Sequence, residues 1–208
     1  MDPVLSNFLG IITGILSSLV TWWLLFHGLV PRIKFSEFIS KLPLTENPSK
    51  FKYRFKFENV GPRALIDAQI QARLSIKGLQ FENSWTVFKL TFNSSGEKKA
   101  EIPLISSKHN RVLRFYINSV QGIKESKLLP EEIRLKASNG SILLEDLLIL
   151  GSSASMTGYV FGYDTFSGAR KLFISKKYRI NDIRIGRFKE MDIVPKDFSD
   201  DSSREDAG

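Results

Sequence analysis

The sequence predicts an all-β body, an antiparallel β-sandwich, preceded by one N-terminal transmembrane α-helix. Residues 8–30 form a run of 23 residues without a formal charge. After Pro31, apolar and polar residues alternate at a period of two, as in half-buried strands. Clusters of Gly, Asn, Ser and Pro separate these short runs, which favours antiparallel sheets over a parallel α/β sheet.

The run at residues 8–30 is long enough to cross a bilayer, whose hydrocarbon core of about 30 Å needs roughly 20 apolar residues. Trp22 and Trp23 lie near its C-terminal end, where amphipathic rings prefer the membrane interface. Small residues spaced three and four apart permit close helix–helix contact: Gly10, Gly14, Ser17, Ser18 and Thr21. A cleaved signal peptide is the competing interpretation, but no basic segment precedes the run and no A-x-A site follows it. We therefore expect an uncleaved anchor.

The charges that flank the helix predict its orientation. Arg32, Lys34 and Lys41 follow it, whereas only Asp2 precedes it. The positive-inside rule then places a short N-terminus, residues 1–7, outside the cell and the body in the cytoplasm. Asn93 and Asn139 begin N-x-S tripeptides, which are glycosylation acceptors only in a luminal body of a eukaryote. The charge asymmetry favours the cytoplasmic body.

The net charge of +8 is unevenly distributed. Residues 1–31 carry −1 and residues 192–208 carry −4 (six acids, two bases), so residues 32–191 carry +13. Such a basic body suits anionic lipid, nucleic acid or acidic ligands, or is simply the solvated surface of a protein beside a membrane. Residues 192–208 are too poor in apolar groups to order themselves and are predicted to be a disordered acidic tail.

The body, residues 31–191, contains a series of strand-like runs. In residues 51–60 the aromatic residues occupy one face and the basic residues the other. A turn at Gly61 and Pro62 follows, and the next run has Ile66 on the same face as four later apolar residues: Ala68, Ile70, Ala72 and Leu74. Further strands are predicted at 85–92, 99–105, 111–117, 132–138 and 171–178, and a short helix within 141–150.

Composition and motifs argue against several functions. The chain has no cysteine and two histidines, so disulfides, thiolate chemistry and cysteine or histidine-rich metal sites are not expected, and no cofactor is predicted. Nucleic-acid binding is not expected. Proteins that bind single strands need aromatic residues on the basic face of a sheet, whereas residues 51–60 place the two classes on opposite faces. No motif clusters titratable groups as general acid–base catalysis requires, so no catalytic residue and no enzyme is predicted.

The order of the segments is similar to that of the cytoplasmic immunoglobulin-like (E-set) domain of inward-rectifier potassium channels, from Phe8 to about Ile193. "PRIKFS" resembles the strand that follows the inner helix of the pore, and "FKYRFKFENVGPRALIDAQIQARLSI" resembles the signature strand pair. "EIPLISSKHNRVLRFYI" and "SILLEDLLIL" stand where the family has two further conserved sections. The order of these segments is more specific than any one of them.

The segment from residue 162 resembles the family's cytoplasmic pore-constricting loop and the strands after it. The loop pattern matches Gly162, Asp164, Ser167 and Gly168. The later pattern matches Tyr178, Asp182, Ile183, Gly186, Arg187 and Phe188, although the spacing differs by one residue in two places and Ile185 replaces a tryptophan.

These residues carry specific expectations. Gly162 and Gly168 are expected to form a tight turn, with Asp164 bonded to the turn backbone. Asp182, followed by Arg184 and Arg187, is expected to take part in an intersubunit or interdomain ion pair.

The resemblance implies an immunoglobulin-like sandwich that assembles as a homo-oligomer, a tetramer in the family, with the single helix in place of the inner helix. The family's outer helix, pore helix and selectivity filter have no counterpart here, so the chain is not a complete channel by itself. We expect a regulatory, sensing or assembly module of a membrane complex, with a separate pore-forming subunit as a further partner. The family's phosphoinositide site needs a run of basic residues at the membrane exit, and Arg32 and Lys34 are the only candidates here that match it.

A second hypothesis places the body outside the cell. The helix would then be a retained signal anchor, and the sandwich would serve adhesion or envelope assembly.

Overall fold

A computed structural model describes residues 3–44, 50–90, 101–115, 123 and 126–195. β-strands arranged in sheets make up most of its regular structure, and one apolar helix stands at the N-terminus. The predicted β-rich body and N-terminal helix are confirmed at this level.

The N-terminal helix, α1 (Pro3–Trp23), continues as a π-helical turn over Leu24–Gly28. Residues Ser6–Gly28 are long and apolar enough to cross a membrane, and the most apolar window of this segment has no residue buried inside the protein. The turn ends where the backbone N–H of Leu29 donates to the carbonyl of Leu24 over 2.9 Å. The helix therefore ends slightly earlier than residue 30, and the side chains of its most apolar window are not buried against the body.

The first sheet, sheet I, has β3 at its centre. Its five strands are β1 (Ile33–Phe35), β2 (Ile39–Pro43), β3 (Phe51–Asn59), β7 (Asn110–Phe115) and β10 (Ile183–Ile185). β1 and β2 pair in succession with one edge of β3, β7 pairs with the other edge, and all three pairings are antiparallel. β10 pairs in parallel with β2, which places Ile183 beside Ile39. The last third of the chain thus completes a sheet begun directly after the helix.

The second sheet, sheet II, has β4 at its centre. Its five strands are β4 (Leu65–Lys77), β5 (Trp85–Leu90), β6 (Glu101–Ile105), β8 (Ser153–Asp164) and β9 (Arg170–Ile174). β5 and β6 lie along one edge of β4, β8 lies along the other, and β9 extends the sheet beyond β8. All of these pairings are antiparallel.

A β-bulge in β4 corrects one sequence prediction. The register with β8 shifts between Ile66 and Gln69, and Asp67 has a φ of +49°. The irregularity turns Ile66 to the outside, 37% exposed, whereas Ala68 is fully buried. The prediction that both lie on one face is therefore wrong, because an extra residue interrupts the alternation.

Both sheets contribute to one hydrophobic core. The aromatic face of β3 is buried as its alternation predicts, with Tyr53, Phe55 and Phe57 almost fully enclosed. A Cβ on Gly158 of β8 would lie 2.4 Å from Cζ of Phe55, so the ring of one sheet packs directly on the backbone of the other. Close packing of this kind is characteristic of protein interiors.

Two short helices lie between β7 and β8. α3 (Leu144–Leu148) confirms the helix predicted within residues 141–150. α2 (Glu131–Ser138) occupies the segment 132–138 that was predicted to be a strand, so that prediction is wrong. Two acidic residues in the first turn interact favourably with the helix dipole. Ile133 and Ala137, four residues apart, are buried on the same side of the helix. Helical spacing therefore outweighs the strand-like alternation.

The C-terminal hairpin pairs β11 (Arg187–Lys189) with β12 (Asp192–Val194). β12 falls within the segment predicted to be a disordered tail, so the ordered body extends at least to Val194; residues 196–208 lie outside the described residues. The apolar Ile193 and Val194 allow the strand to form despite the acids around it.

On the outer face of β3, Arg54 is buried and its guanidinium lies 5.8 Å from the ring of Phe188 in the C-terminal hairpin. The basic face of β3 is therefore largely covered.

Candidate functional site at the junction of helix and body

The clearest specialised site joins the helix to the body. We call it the junction: the exit segment 29–32, the bend after β3, and the turn between β8 and β9. Pro31 is buried, and the backbone N–H of Val60 donates to the carbonyl of Arg32 over 2.8 Å. The helix therefore does not continue into a free linker but packs on the body at once.

Asn59, the last residue of β3, holds the junction together. Its side chain is fully buried. Oδ1 accepts hydrogen bonds from the backbone N–H groups of Arg32, over 3.2 Å, and Gly61, over 3.1 Å. The two hydrogens of Nδ2 are shared among three carbonyls, those of Arg63 (2.7 Å), Ile105 (3.3 Å) and Ser106 (3.3 Å). One amide thus connects the exit segment, the bend after β3 and the end of β6.

Gly61 makes the close approach possible. A Cβ at this position would lie 2.4 Å from the backbone nitrogen of Arg32 and 2.5 Å from the carbonyl oxygen of Val30. No larger residue fits without moving the exit segment. The sequence predicted a turn at Gly61, and this contact supplies the reason for a glycine there.

The turn between β8 and β9 is organised by Asp164. Its carboxylate accepts hydrogen bonds from the Ser167 hydroxyl (2.7 Å) and the Phe166 N–H (3.2 Å), and it lies 3.4 Å from Nη1 of Arg63. Burial raises the pKa of Asp164, but these hydrogen bonds and the guanidinium outweigh burial and leave the pKa below its usual range. The expected backbone bond of Asp164 is present, and Gly168 has the positive φ, +64°, expected of a turn glycine.

Gly162 does not belong to this turn. It lies within β8, and its φ is not in the left-handed region. A Cβ would lie 3.3 Å from Cβ and Cδ2 of Leu65, so any constraint on Gly162 comes from packing. The assignment of Gly162 to the tight turn is wrong, because the strand runs on to Asp164.

Phe166 connects the turn to the helix. The centroid of its ring lies 6.0 Å from that of Phe26 in the π-helical turn. The guanidinium of Arg63 lies 4.1 Å from the centroid of the Phe166 ring. Phe26, Arg63, Phe166 and Asn59 were not among the predicted site residues. The Gly-Pro bend after a strand marked the region, but only the fold brings these four together.

Arg32 and Lys34 are exposed and follow the helix directly, where the lipid-contact prediction needs them. Nη2 of Arg32 lies 3.4 Å from the carbonyl of Gly28, the last residue of the π-helical turn. Their position agrees with lipid contact, which stays a prediction.

The predicted signature residues lie away from the junction. Tyr178 is fully buried, and its hydroxyl donates to the carbonyl of Ser36 over 2.6 Å; burial raises its pKa. Within the chain, Asp182 forms an ion pair with Lys176 over 2.8 Å, and the expected intersubunit or interdomain pair stays a prediction. The guanidinium of Arg184 lies 3.3 Å from the ring centroid of Phe38.

The remaining signature residues, Gly186, Arg187 and Phe188, lead into the C-terminal hairpin. Gly186 has a φ of +148°, and a Cβ there would lie 2.3 Å from the carbonyl oxygen of Val194. Its own carbonyl accepts a hydrogen bond from the Ser40 hydroxyl over 2.5 Å. Gly186 thus fixes the hairpin against β2, and these residues have a structural role.

A buried polar network holds α3 against sheet I. The carboxylate of Glu145 lies 2.5 Å from Nζ of Lys41 and 2.5 Å from the hydroxyl of Tyr53. The same hydroxyl accepts a hydrogen bond from the N–H of Leu144 over 3.0 Å. Burial raises the pKa of Tyr53, and the hydrogen bond to Glu145 raises it further. Tyr53 therefore stays neutral and donates to the carboxylate.

The outer face of sheet II differs from the outer face of β3. Tyr159 and Phe161 stack with ring centroids 6.3 Å apart, and Arg73 and Arg170 lie 5.1 and 5.4 Å from these rings. Aromatic and basic residues share this face, so their separation in β3 does not extend to the whole body. The expectation of no nucleic-acid binding stays a prediction.

Within the described ranges, no group of three or more His, Cys, Asp or Glu residues is placed to hold a metal ion. The junction itself offers hydrogen bonds, one ion pair and stacked rings. This arrangement suits mechanical connection. No protein-family model matches the sequence, and no curated protein matches it at a significant level.

Proposed function

We propose that the chain is a single-pass membrane protein whose cytoplasmic body acts as a regulatory, sensing or assembly module of a membrane complex. The helix anchors the chain, and the body transmits a change in its own state to the helix through the junction. The observation that carries the proposal is the buried Asn59, which bonds the exit segment and two parts of the body at once. A protein that only tethered its body would not need such a connection.

The body is proposed to be an immunoglobulin-like sandwich similar to the cytoplasmic domain of inward-rectifier potassium channels. Two five-stranded sheets around one core, with the first strand directly after the helix, support this proposal. The turn of Asp164, Ser167 and Gly168 lies beside the end of the helix, where a module coupled to a membrane pore would place it. Without a filter or pore helix, the chain is proposed to modify a complex and not to conduct ions alone.

The helix is proposed to associate with copies of itself, as a tetramer by resemblance, or with a separate pore-forming subunit. A Cβ added at Gly10 or Gly14 would meet no atom within 4 Å, so this small-residue face is open to a neighbouring helix. Native mass spectrometry of the detergent-solubilised chain tests self-association. A four-fold species that is lost in the double variant Gly10→Leu/Gly14→Leu supports the proposal, whereas a monomer at all concentrations contradicts self-association.

The orientation of the chain can be tested with single cysteines, because the native sequence has none. A membrane-impermeant maleimide applied to intact cells should label Asp2→Cys but should label Ser138→Cys, an exposed position on α2, only after lysis. The opposite pattern would place the body outside the cell and favour the adhesion or envelope function. Asn139 beside it is exposed and would then be an accessible acceptor, while Asn93 lies outside the described residues.

Arg32 and Lys34 are proposed to attract anionic lipid to the helix exit. Charge reversal of both should weaken the attraction of phosphatidylglycerol to the reconstituted chain by about 1 kcal/mol per residue, and the lipid should be less enriched around the variant. Lys127→Glu, an exposed charge reversal in the segment before α2, serves as the control. Equal enrichment of the lipid around the native chain, the charge-reversed variant and Lys127→Glu would contradict lipid contact at Arg32 and Lys34.

A further inference from the structure

Four exposed apolar side chains form a continuous band at one end of sheet II. We call Leu104, Ile66, Tyr163 and Phe166 the membrane-proximal row. Ile66 pairs across strands with Leu104 of β6 and with Tyr163 of β8, and Phe166 follows in the turn after β8. Their exposed fractions are 49% for Leu104, 37% for Ile66, 42% for Tyr163 and 56% for Phe166. Their strand neighbours Leu65, Asp164 and Ile105 are buried, so the row is the outward face of an ordered sheet end.

The position of Phe26 indicates how far along the helix, and so at what depth relative to a membrane, this row lies. The 23 residues of Ser6–Gly28 span about 35 Å at the α-helical rise, against a hydrocarbon core of about 30 Å. Phe26 lies two residues before the end of this segment, about 3 Å along the axis. If the helix crosses the bilayer, Phe26 is near the boundary between acyl chains and headgroups. The ring of Phe166, 6.0 Å away, lies at the same boundary.

The rest of the row is held at this end of the body by the junction. The carbonyl of Ile105, next to Leu104, accepts a hydrogen bond from Asn59, which also binds the N–H of Arg32 at the helix exit. The N–H of Thr165 donates to the carbonyl of Ala64, two residues before Ile66. The row and the helix exit are therefore parts of one hydrogen-bonded unit.

The composition of the row also fits a lipid surface. Tyrosine, phenylalanine and leucine flanked by arginine are the side chains that favour the headgroup region. Arg170 is exposed and lies opposite Tyr163 in the register of β8 and β9. This cation suits anionic headgroups.

We propose that the membrane-proximal row inserts into the headgroup region of the bilayer, so that the body lies against the membrane. The inference rests on the proposed membrane anchoring by α1, and it adds a second, sheet-borne contact to the helix. The row holds the turn between β8 and β9 at the lipid surface, and lipid composition then acts on the same turn that touches the helix.

Site-directed nitroxide labelling of the full chain in phosphatidylcholine–phosphatidylglycerol vesicles tests this inference. The single-cysteine variants are Leu104→Cys and Phe166→Cys in the row, Ile15→Cys in the middle of the helix and Phe81→Cys as the matched control. Phe81 is 68% exposed and follows the far end of β4, about 35 Å from Ile66 at strand rise. Collision rates with oxygen, which enriches in lipid, and with a water-soluble nickel chelate report the depth of each label.

We expect the labels at Leu104 and Phe166 to lose nickel accessibility and gain oxygen accessibility relative to Phe81, while Ile15 reports the hydrocarbon core. Equal values at Leu104, Phe166 and Phe81, with Ile15 still in lipid, would overturn the inference and leave the anchor intact. Nickel accessibility at Ile15 equal to that at Phe81 would instead overturn the membrane anchoring. Dipolar broadening at Leu104, with low access to both reagents, would show that copies of the chain cover the row and would also overturn the inference.

Discussion

Replacement of Asn59 by alanine removes its hydrogen bond to Arg32 at the helix exit and its bonds to four residues of the body: Gly61, Arg63, Ile105 and Ser106. The N–H of Gly61 is buried, and loss of its acceptor costs about 1–3 kcal/mol. The N–H of Arg32 is partly exposed and can bond water, so its loss adds less, about 0.5–1 kcal/mol. With the three carbonyls that lose a donor, we expect Asn59→Ala to lower the free energy of unfolding by about 3 kcal/mol.

Thermal unfolding of the full chain in detergent, followed by far-ultraviolet circular dichroism, measures this effect. A loss of about 3 kcal/mol corresponds to a fall in Tm of about 6–12 °C for a body of this size. Asn139→Ala is the matched control, because Asn139 is exposed after α2 and the change should stay within about 0.5 kcal/mol. If Asn59→Ala and Asn139→Ala melt together, Asn59 does not hold the junction and the reasoning is refuted.

Asn59→Asp separates the hydrogen bonds from the volume of the side chain. The aspartate keeps an acceptor for Arg32 and Gly61 but loses the donor to three carbonyls and buries a carboxylate. Burial favours the neutral acid and raises its pKa in the folded state, so the variant should be most stable in acid and lose stability as the pH rises. A variant whose stability deficit relative to the native chain is independent of pH would contradict full burial of this site.

Three further changes test the core and the polar networks. Gly158→Ala places a Cβ 2.4 Å from Cζ of Phe55 and should cost about 1–3 kcal/mol in chemical denaturation. Glu145→Ala leaves the ammonium of Lys41 without its carboxylate and should cost about 2 kcal/mol of stability. The cost is smaller than for a fully enclosed ion pair, because Glu145 is partly exposed. The double variant Glu145→Ala/Lys41→Met should recover much of the loss. Because burial raises the pKa of Tyr178, its contribution to stability should be constant below a pH of about 10 and fall above it, and the phenolate absorbance that the variant Tyr178→Phe lacks should appear together with unfolding.

The two substitutions, Gly158→Ala and Glu145→Ala, each have a control. Gly14→Ala adds a Cβ that meets no atom within 4 Å and should leave the stability of the body unchanged. Glu132→Ala removes an exposed pair with Lys136 at 3.8 Å and should change stability by less than about 0.5 kcal/mol. Ionisation of Tyr178 before any loss of circular dichroism would contradict its burial, and equal costs for Glu132→Ala and Glu145→Ala would contradict the importance of the buried network.

Elements with a long, regular pattern were predictable from sequence. The uncharged run of residues 8–30 gave the helix, and the alternation in residues 51–59 gave β3 with its buried aromatic face. The errors occurred where a short pattern fits two periods or where backbone irregularity leaves no trace in the sequence. α2 is only eight residues long, and the bulge that turns Ile66 outward could not be recognised from residue types.

The candidate site was harder to predict because its residues are distant in sequence. The hydrogen bonds of Asn59 span 27 residues to Arg32 and 46 to Ile105. The contact of Phe26 with Phe166 spans 140 residues (166 − 26). None of these pairs has a local pattern: the bond to Arg32 depends on the pairing of β1 with β3, the bond to Ile105 on how the two sheets come together, and the ring contact on where the helix ends. The pairing of Lys176 with Asp182 was likewise not predicted, because Lys176 reaches Asp182 across a turn and not along a strand.

The parallel pairing of β10 with β2 has a consequence for biosynthesis. Ile39 acquires its neighbour Ile183 only after more than four-fifths of the chain has left the ribosome. The apolar helix emerges first and is free to enter a membrane while sheet I is still incomplete. If α1 enters the bilayer as proposed above, the nascent chain is attached to the membrane well before its body can close, and that attachment limits aggregation of half-made sheets in solution.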